Sequence, residues 1–253
     1  MVFYFLSCIT NFGASLLIAG YFIWRKSTYK YFILFNLALA FWSFFCILWL
    51  LSTNAIEAEN YTKLLYLGAA IIPFTFYKFI SEITQEVATK RRKILSHLNL
   101  GTGVIFCGFI LWTKLVIKEV SPILDYPYWP KGGWLLLLFL AYFFANVVVA
   151  YVKLWKFYKK TNNKNYFHIF WITLLVFSGG SSNYLLCLDI PFPPHGNILV
   201  TGYVALMAYT ITRHKLFNMQ VVINQAGAFV LTTAFFATGY LFFLIPYRMY
   251  VRS

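Results

Sequence analysis

Residues 30–51 read KYFILFNLALAFWSFFCILWLL, so that after Lys30 twenty-one consecutive positions carry no charge. In an α-helix at 1.5 Å per residue that run spans roughly 30 Å, the thickness of a bilayer's hydrocarbon core. Lipid offers no hydrogen-bond partner to the backbone, so a segment of this kind crosses as a helix or not at all. Working outward, seven more segments meet or approach the same length, at about residues 3–24, 62–80, 95–113, 133–154, 166–188, 197–212 and 226–246. The expected fold is an all-α polytopic membrane bundle of seven helices with an eighth at the C-terminal end. Residues 1–215 would form the seven-helix domain, and 216–253 an exit segment followed by that last hydrophobic helix.

Composition agrees. The chain of 253 residues is 61% hydrophobic and 11% charged, against about 25% charged in soluble domains. A water-facing surface cannot be made from so few charges. The net charge of +14 would suggest nucleic acid in a soluble chain, but here the basic residues sort by connector. Fourteen fall after the first, third, fifth and seventh segments, among them Arg25, Lys26, Lys90, Arg91, Arg92, Lys93, Lys159, Lys160, Arg213 and Lys215. The opposite connectors hold Lys63, Lys114, Lys118 and Lys131 together with Glu57, Glu59, Glu119, Asp125 and Asp189. Basic connectors stay in the cytoplasm, which places the N-terminus outside, in a plasma-membrane protein whose first partner is the bilayer. Nucleic acid is excluded as a partner. An eighth span would carry Arg248 and Arg252 outward, against the bias.

Chemistry has few places to sit. Ionisable residues deep in a span mark function because charge there is costly, and this chain has almost none. Lys78 and Glu82 stand four apart near the cytoplasmic end of the third segment and can face one another. They are candidates for coupling, with interfacial snorkelling as the plainer reading. The densest polar patch is Ser178-Gly179-Gly180-Ser181-Ser182-Asn183, where small residues allow a close helix approach and Asn183 can bond across it. The loop that follows adds Asp189, His195 and Asn197. These four are candidates for a ligand contact or for packing. Asp189 and His195 are too few for a zinc site, so neither metal nor cofactor is expected. Pro191, Pro193 and Pro194 stiffen the loop, and Asn197 can cap the next helix. The aromatic outer stretch Tyr126-Pro127-Tyr128-Trp129-Pro130 is either an interfacial anchor or a lid over a small apolar ligand. Cys8, Cys46, Cys107 and Cys187 show no ligand spacing and read as small buried side chains.

Several motifs, taken in order, resemble the N-terminal seven-helix membrane region of bacterial sensor histidine kinases. They are Ala40-Phe-Trp42 in the second segment, then Pro73-Phe74 and Phe76-Tyr77-Lys78-Phe79 in the third, with Lys78 where the family often has His. Gly179-Gly180 and Asn183 follow in the sixth. Pro193-Pro194-His195-Gly196-Asn197 is similar to the family's entry to the seventh helix, and Arg213, Leu216, Val221 and Ile223 to its exit. The resemblance covers about residues 5–225 and implies a sensory input region, a homodimer and a cytoplasmic transmitter or kinase partner, with Arg213 as a coupling residue. No dimerising phosphoacceptor helix pair or ATP-binding domain is found in the chain, and His214 lacks the acidic neighbour of a phosphoacceptor. The chain is therefore expected not to be an enzyme, whether as a stand-alone module or as one piece of a longer or split product. The rival reading is a small-molecule transporter or carrier, which would need a polar path through the middle.

The charge bias makes a direct prediction. Reporter fusions at residues 57 and 125 will be active outside the cell and fusions at 91 and 162 inside, while a fusion at 250 reports whether residues 226–246 cross.

Overall fold

The computed structural model describes residues 2–86 and 89–197, and beyond them 199, 200, 202, 203, 206 and 207. Arg213, the exit stretch and the eighth segment lie outside the described residues. Six long apolar helices follow one another: α1 (Val2–Trp24), α2 (Lys30–Leu51), α3 (Ala55–Ile83), α4 (Lys90–Trp112), α5 (Leu136–Thr161) and α6 (Lys164–Ser181), the last continued by a short turn α7 (Asn183–Cys187). Six of these spans are long and apolar enough to cross a membrane, and the chain is a multi-pass membrane protein by that measure. Residues 199, 200, 202, 203, 206 and 207 are helical as well.

One expectation needs correcting. The fold is mostly but not wholly α: Ile117–Ile123 (β1) and Tyr126–Gly132 (β2) pair as an antiparallel hairpin between α4 and α5. The cause is local. Ile117, Val120 and Ile123 face a partner strand rich in aromatics, and β-branched and aromatic residues fit a pleated, half-buried surface. The two-residue turn at Leu124-Asp125 holds Leu124 at φ 50°, a left-handed value that bulky residues seldom adopt.

Each helix has one buried face and one bare apolar face. On α2, Leu34, Leu37, Phe41 and Phe44 are exposed while Phe35, Leu39, Trp42 and Cys46 are buried. Spacings of three and four put each set on its own stripe, and the exposed stripe is the one that lipid covers. α4 lies furthest out, with Leu98, Val104, Ile105 and Trp112 all exposed.

Polar pairs and small residues join the helices. Asn99 of α4 and Asn146 of α5 exchange amide hydrogen bonds in both directions, the Asn146 Nδ2 to Asn99 Oδ1 bond being 3.1 Å. Pro73 lies inside α3, and proline in a helix frees a carbonyl one turn back. Nearby, the Tyr142 hydroxyl of α5 donates to the Ala70 carbonyl. At the far end of α6, a Cβ on Gly179 would collide with the Gly196 carbonyl, so backbone meets backbone there. Gly180, one residue on, faces open space.

Those two glycines give a paired prediction. Gly179→Ala will cost about 2 kcal/mol, because the added methyl forces apart a backbone contact. Gly180→Ala will be neutral or stabilise by up to about 1 kcal/mol from helix propensity alone. Thermal unfolding of both variants in detergent checks the contrast.

Candidate functional site: an aromatic cavity beneath the hairpin

The hairpin lies over one end of the bundle. Trp49, at the end of α2, donates its indole N–H to the Tyr128 carbonyl at 2.6 Å, and the Tyr128 hydroxyl donates to the Thr53 carbonyl at 3.1 Å. Around this pin the rings of Tyr4, Trp49, Tyr126 and Trp129 pack with centroids 4.9–6.3 Å apart. Offset and edge-on pairs at such distances contribute about 0.5–1.5 kcal/mol each beyond the area they bury. Burial in this cluster pushes the Tyr126 hydroxyl up to about 12, with Cys46, Cys8 and Asp125 adding to the rise.

Below the hairpin is a cavity of about 60 Å³, room for roughly four water molecules at about 15 Å³ each. α3 supplies Thr62, Leu65, Tyr66, Ala69 and Ile72, one helical face; α2 supplies Leu39, Trp42 and Trp49. Trp129 and Pro130 of the hairpin close the top, and Phe143, Phe177, Gly180 and Asn183 line the side. Among the described residues the wall carries no charged side chain. Its lower limit, at Leu39, Ile72 and Phe177, is about mid-depth. Beneath it buried phenylalanines form a plug, with Phe76 packed 4.6 Å from Phe177, Phe35 5.5 Å from Phe76, and Phe32 4.9 Å from Phe79.

Asn183 is the polar residue of consequence. It is 9% exposed, and neither its Oδ1 nor its Nδ2 has a hydrogen-bond partner among the described residues. The Thr62 hydroxyl across the cavity lacks one as well. A buried polar group left unpaired costs about 1–3 kcal/mol, and the adjoining space is where a partner could come from.

The other candidates of the same stretch lie elsewhere. Asp189 is exposed and pairs with Lys131 of the hairpin at 3.3 Å. His195 is exposed in a 3-10 turn, Pro194–Gly196. Asn197 is buried but does not cap the next helix. Its backbone is already helical, and its amide donates to Ser7 Oγ at 2.6 Å, tying this segment to α1. Among the described residues no three His, Cys, Asp or Glu side chains gather as a metal site.

At the opposite, basic end, Lys78 and Glu82 form no ion pair. Lys78 donates to Ser96 of α4 at 3.2 Å and stands 5.0 Å from the Tyr31 ring centre, while Glu82 accepts from the Tyr31 backbone N–H at 3.3 Å. Each has a neighbour from another helix in place of the other. The strong contact is one that spacing does not show. Lys153 of α5 donates to Glu86 at 2.7 Å, to the Tyr77 hydroxyl at 2.9 Å and to Ser81 at 3.2 Å, and Arg92 adds a second cation 3.4 Å from Glu86. Gln85 at φ 50° ends α3 and turns the chain so that Glu86 N–H reaches back to the Ser81 carbonyl, a Schellman-type close that positions the carboxylate. Burial pushes the Glu86 carboxyl up, but the bond and charge of Lys153, with Arg92, outweigh it and hold the carboxyl below its ordinary value.

Fold and site together define a polytopic helical membrane protein with an aromatic interior cavity at one end and an ion-pair cluster at the other. Compared with known families, the chain matches the N-terminal 7TM region of histidine kinase over residues 7–222, and it belongs to that family. No curated protein and no solved structure matches it.

A carboxyl lowered by folding stabilises the protein above its unfolded pKa and loses that contribution as pH falls through the lower folded value. Wild-type protein will therefore lose about 1 kcal/mol on acidification below the ordinary glutamate value of about 4.3 that Glu86→Gln does not lose. Unfolding midpoints against pH for the two proteins test this.

Proposed function

We propose that the chain is the membrane input module of a histidine-kinase-type signalling system. Its hairpin end faces the outside and its basic end the cytoplasm. Residues 1–215 form the sensory domain, and residues 216–253 carry the signal out past Arg213. In this reading the chain performs no chemistry of its own. It passes a change in packing to a cytoplasmic transmitter, in the same or a partner polypeptide, within a homodimer.

The observation that carries the reading is Asn183, an amide at the wall of an aromatic cavity that has no hydrogen-bond partner among the described residues. A small uncharged molecule entering the cavity could give that amide a partner. One satisfied group is worth about 1–3 kcal/mol, which matches the size of coupling free energy that allosteric ligands usually supply. A ligand shifts a two-state protein only by its difference in affinity for the two states, and an orphaned polar group is a source of such a difference.

Packing supports a route between the ends. Phe177 of the cavity wall touches Phe76 of α3, Phe76 lies 5.4 Å from Tyr151 of α5, and the next residue on α3, Tyr77, accepts from Lys153 in the ion-pair cluster. The same phenylalanine plug weighs against the carrier alternative, since among the described residues the cavity stops at mid-depth on Phe76 and Phe35.

Coupling predicts that changes at the cavity are felt at the basic end. Filling it by Gly180→Leu, or removing the amide by Asn183→Leu, will alter amide hydrogen exchange over residues 81–93 by about fivefold or more, measured in lipid nanodiscs. Unchanged exchange there in both variants would contradict the proposal, as would uptake of a solute by proteoliposomes that either variant abolishes.

A further inference from the structure

Cys8 of α1 and Cys46 of α2 are 38 residues apart in the chain, yet their sulfurs stand 2.7 Å from each other. Both side chains are fully buried, and both are free thiols in this structure. A covalent sulfur–sulfur bond is about 2.05 Å long, so a movement of about 0.7 Å separates this contact from a disulfide. The surroundings suit the product. Tyr4 lies beside Cys46, and the Asn197 amide approaches Cys8 Sγ at 3.6 Å. A disulfide has no hydrogen to donate and behaves as an apolar group there.

Depth places the pair in the right compartment. At 1.5 Å per residue, Cys8 is about 9 Å from the start of α1 and Cys46 about 8 Å from the end of α2, both in the half of the bundle that the hairpin covers. Given the charge bias of the connectors, that half faces outward, where disulfides form and persist. Neither Cys107 nor Cys187 has such a partner. Cys107 is half-buried, and Cys187 accepts from the Tyr66 hydroxyl at 3.1 Å.

We infer that Cys8 and Cys46 are a disulfide-forming pair, oxidised by exchange with a donor disulfide of the protein-oxidoreductase class at the outer face. The Cys8 thiol loses its proton, and the thiolate attacks one donor sulfur, which breaks the donor's disulfide and leaves a mixed disulfide and one donor thiolate. The Cys46 thiolate then attacks Cys8 Sγ and expels the second donor thiolate. The two protons lost by the cysteines end on the donor, which departs as a dithiol reduced by two electrons. A thiolate must be reachable to react, so exchange takes place before the hairpin closes over α1 and α2. Tyr4 of α1 also lines the cavity, so the bond fastens that part of the wall to the helix that carries Trp49 and leaves α3, α5 and α6 as the walls that can move.

Thiol trapping tests this on the full chain. Membranes from aerated cells are quenched in acid and denatured, free thiols are blocked with N-ethylmaleimide, and the protein is then reduced, labelled with iodoacetamide and digested for mass spectrometry. Cys8 and Cys46 should carry the second label in roughly tenfold excess or more, Cys107 and Cys187 the first, and an unreduced digest should contain the two peptides joined. Cys46→Ala should return Cys8 to the first label, a readout taken after denaturation and so independent of whether the variant folds. Finding the first label on Cys8 and Cys46 in the wild type would overturn the inference. A second label on Cys8 that persists in Cys46→Ala would overturn it too, because Cys8 would then have a different partner.

Discussion

The bond from the Trp49 indole to the Tyr128 carbonyl, with the four rings packed around it, is the contact on which the architecture of the site depends. Tryptophan and tyrosine favour the membrane interface because one edge of each ring is apolar and the other polar. Here that preference is used to hold a hairpin across the end of a helical bundle. Were the hairpin to lift, Trp129 and Pro130 would leave the top of the cavity, and the helices below would meet head groups instead of a closed aromatic roof. Inside lipid the hydrophobic effect does little to hold helices together, and packing and internal hydrogen bonds take its place. The Asn99–Asn146 pair, the Gly179–Gly196 approach and the Asn197–Ser7 bond are contacts of that kind.

The polar groups nearest the two ends of the bundle differ in their partners. At the basic end a single lysine, Lys153, satisfies a carboxylate and two hydroxyls at once and draws α5 to the close of α3. At the hairpin end, Asn183 and Thr62 are left without partners among the described residues. A satisfied network rigidifies, and a buried polar group left unpaired is costly.

Much of the fold could be read along the chain. The run at 30–51 and the alternation of basic and acidic connectors depend on local composition, and the six long helices fall where that composition puts them, while the eighth segment and much of the seventh lie outside the described residues. The hairpin is not legible in the sequence, because its aromatic strand, Tyr126 to Pro130, has an equally good local explanation as an interface anchor, and because Leu124 at its turn is not a turn-forming residue type. At the site, Asn183 was visible as a lone amide among small residues. Asp189 and His195 drew notice by their chemical type, but placement decides, and both face outward. The four-residue spacing of Lys78 and Glu82 suggested a pair that other helices pre-empted. Lys153 with Glu86, the phenylalanine plug and the two neighbouring cysteines join positions far apart in sequence, so no reading of adjacent residues could find them.

The Asn183 amide, at the wall of the cavity beneath the hairpin, has no partner among this protein's described side chains. A cryo-electron microscopy map of the protein in lipid nanodiscs, detailed enough to show side chains around Asn183, examines that most directly. The expected result is density that belongs to no residue, within hydrogen-bonding reach of the Asn183 amide and enclosed by Trp42, Tyr66, Trp129 and Phe177. A map in which the walls have met and the Asn183 amide is bonded to a protein group would contradict it.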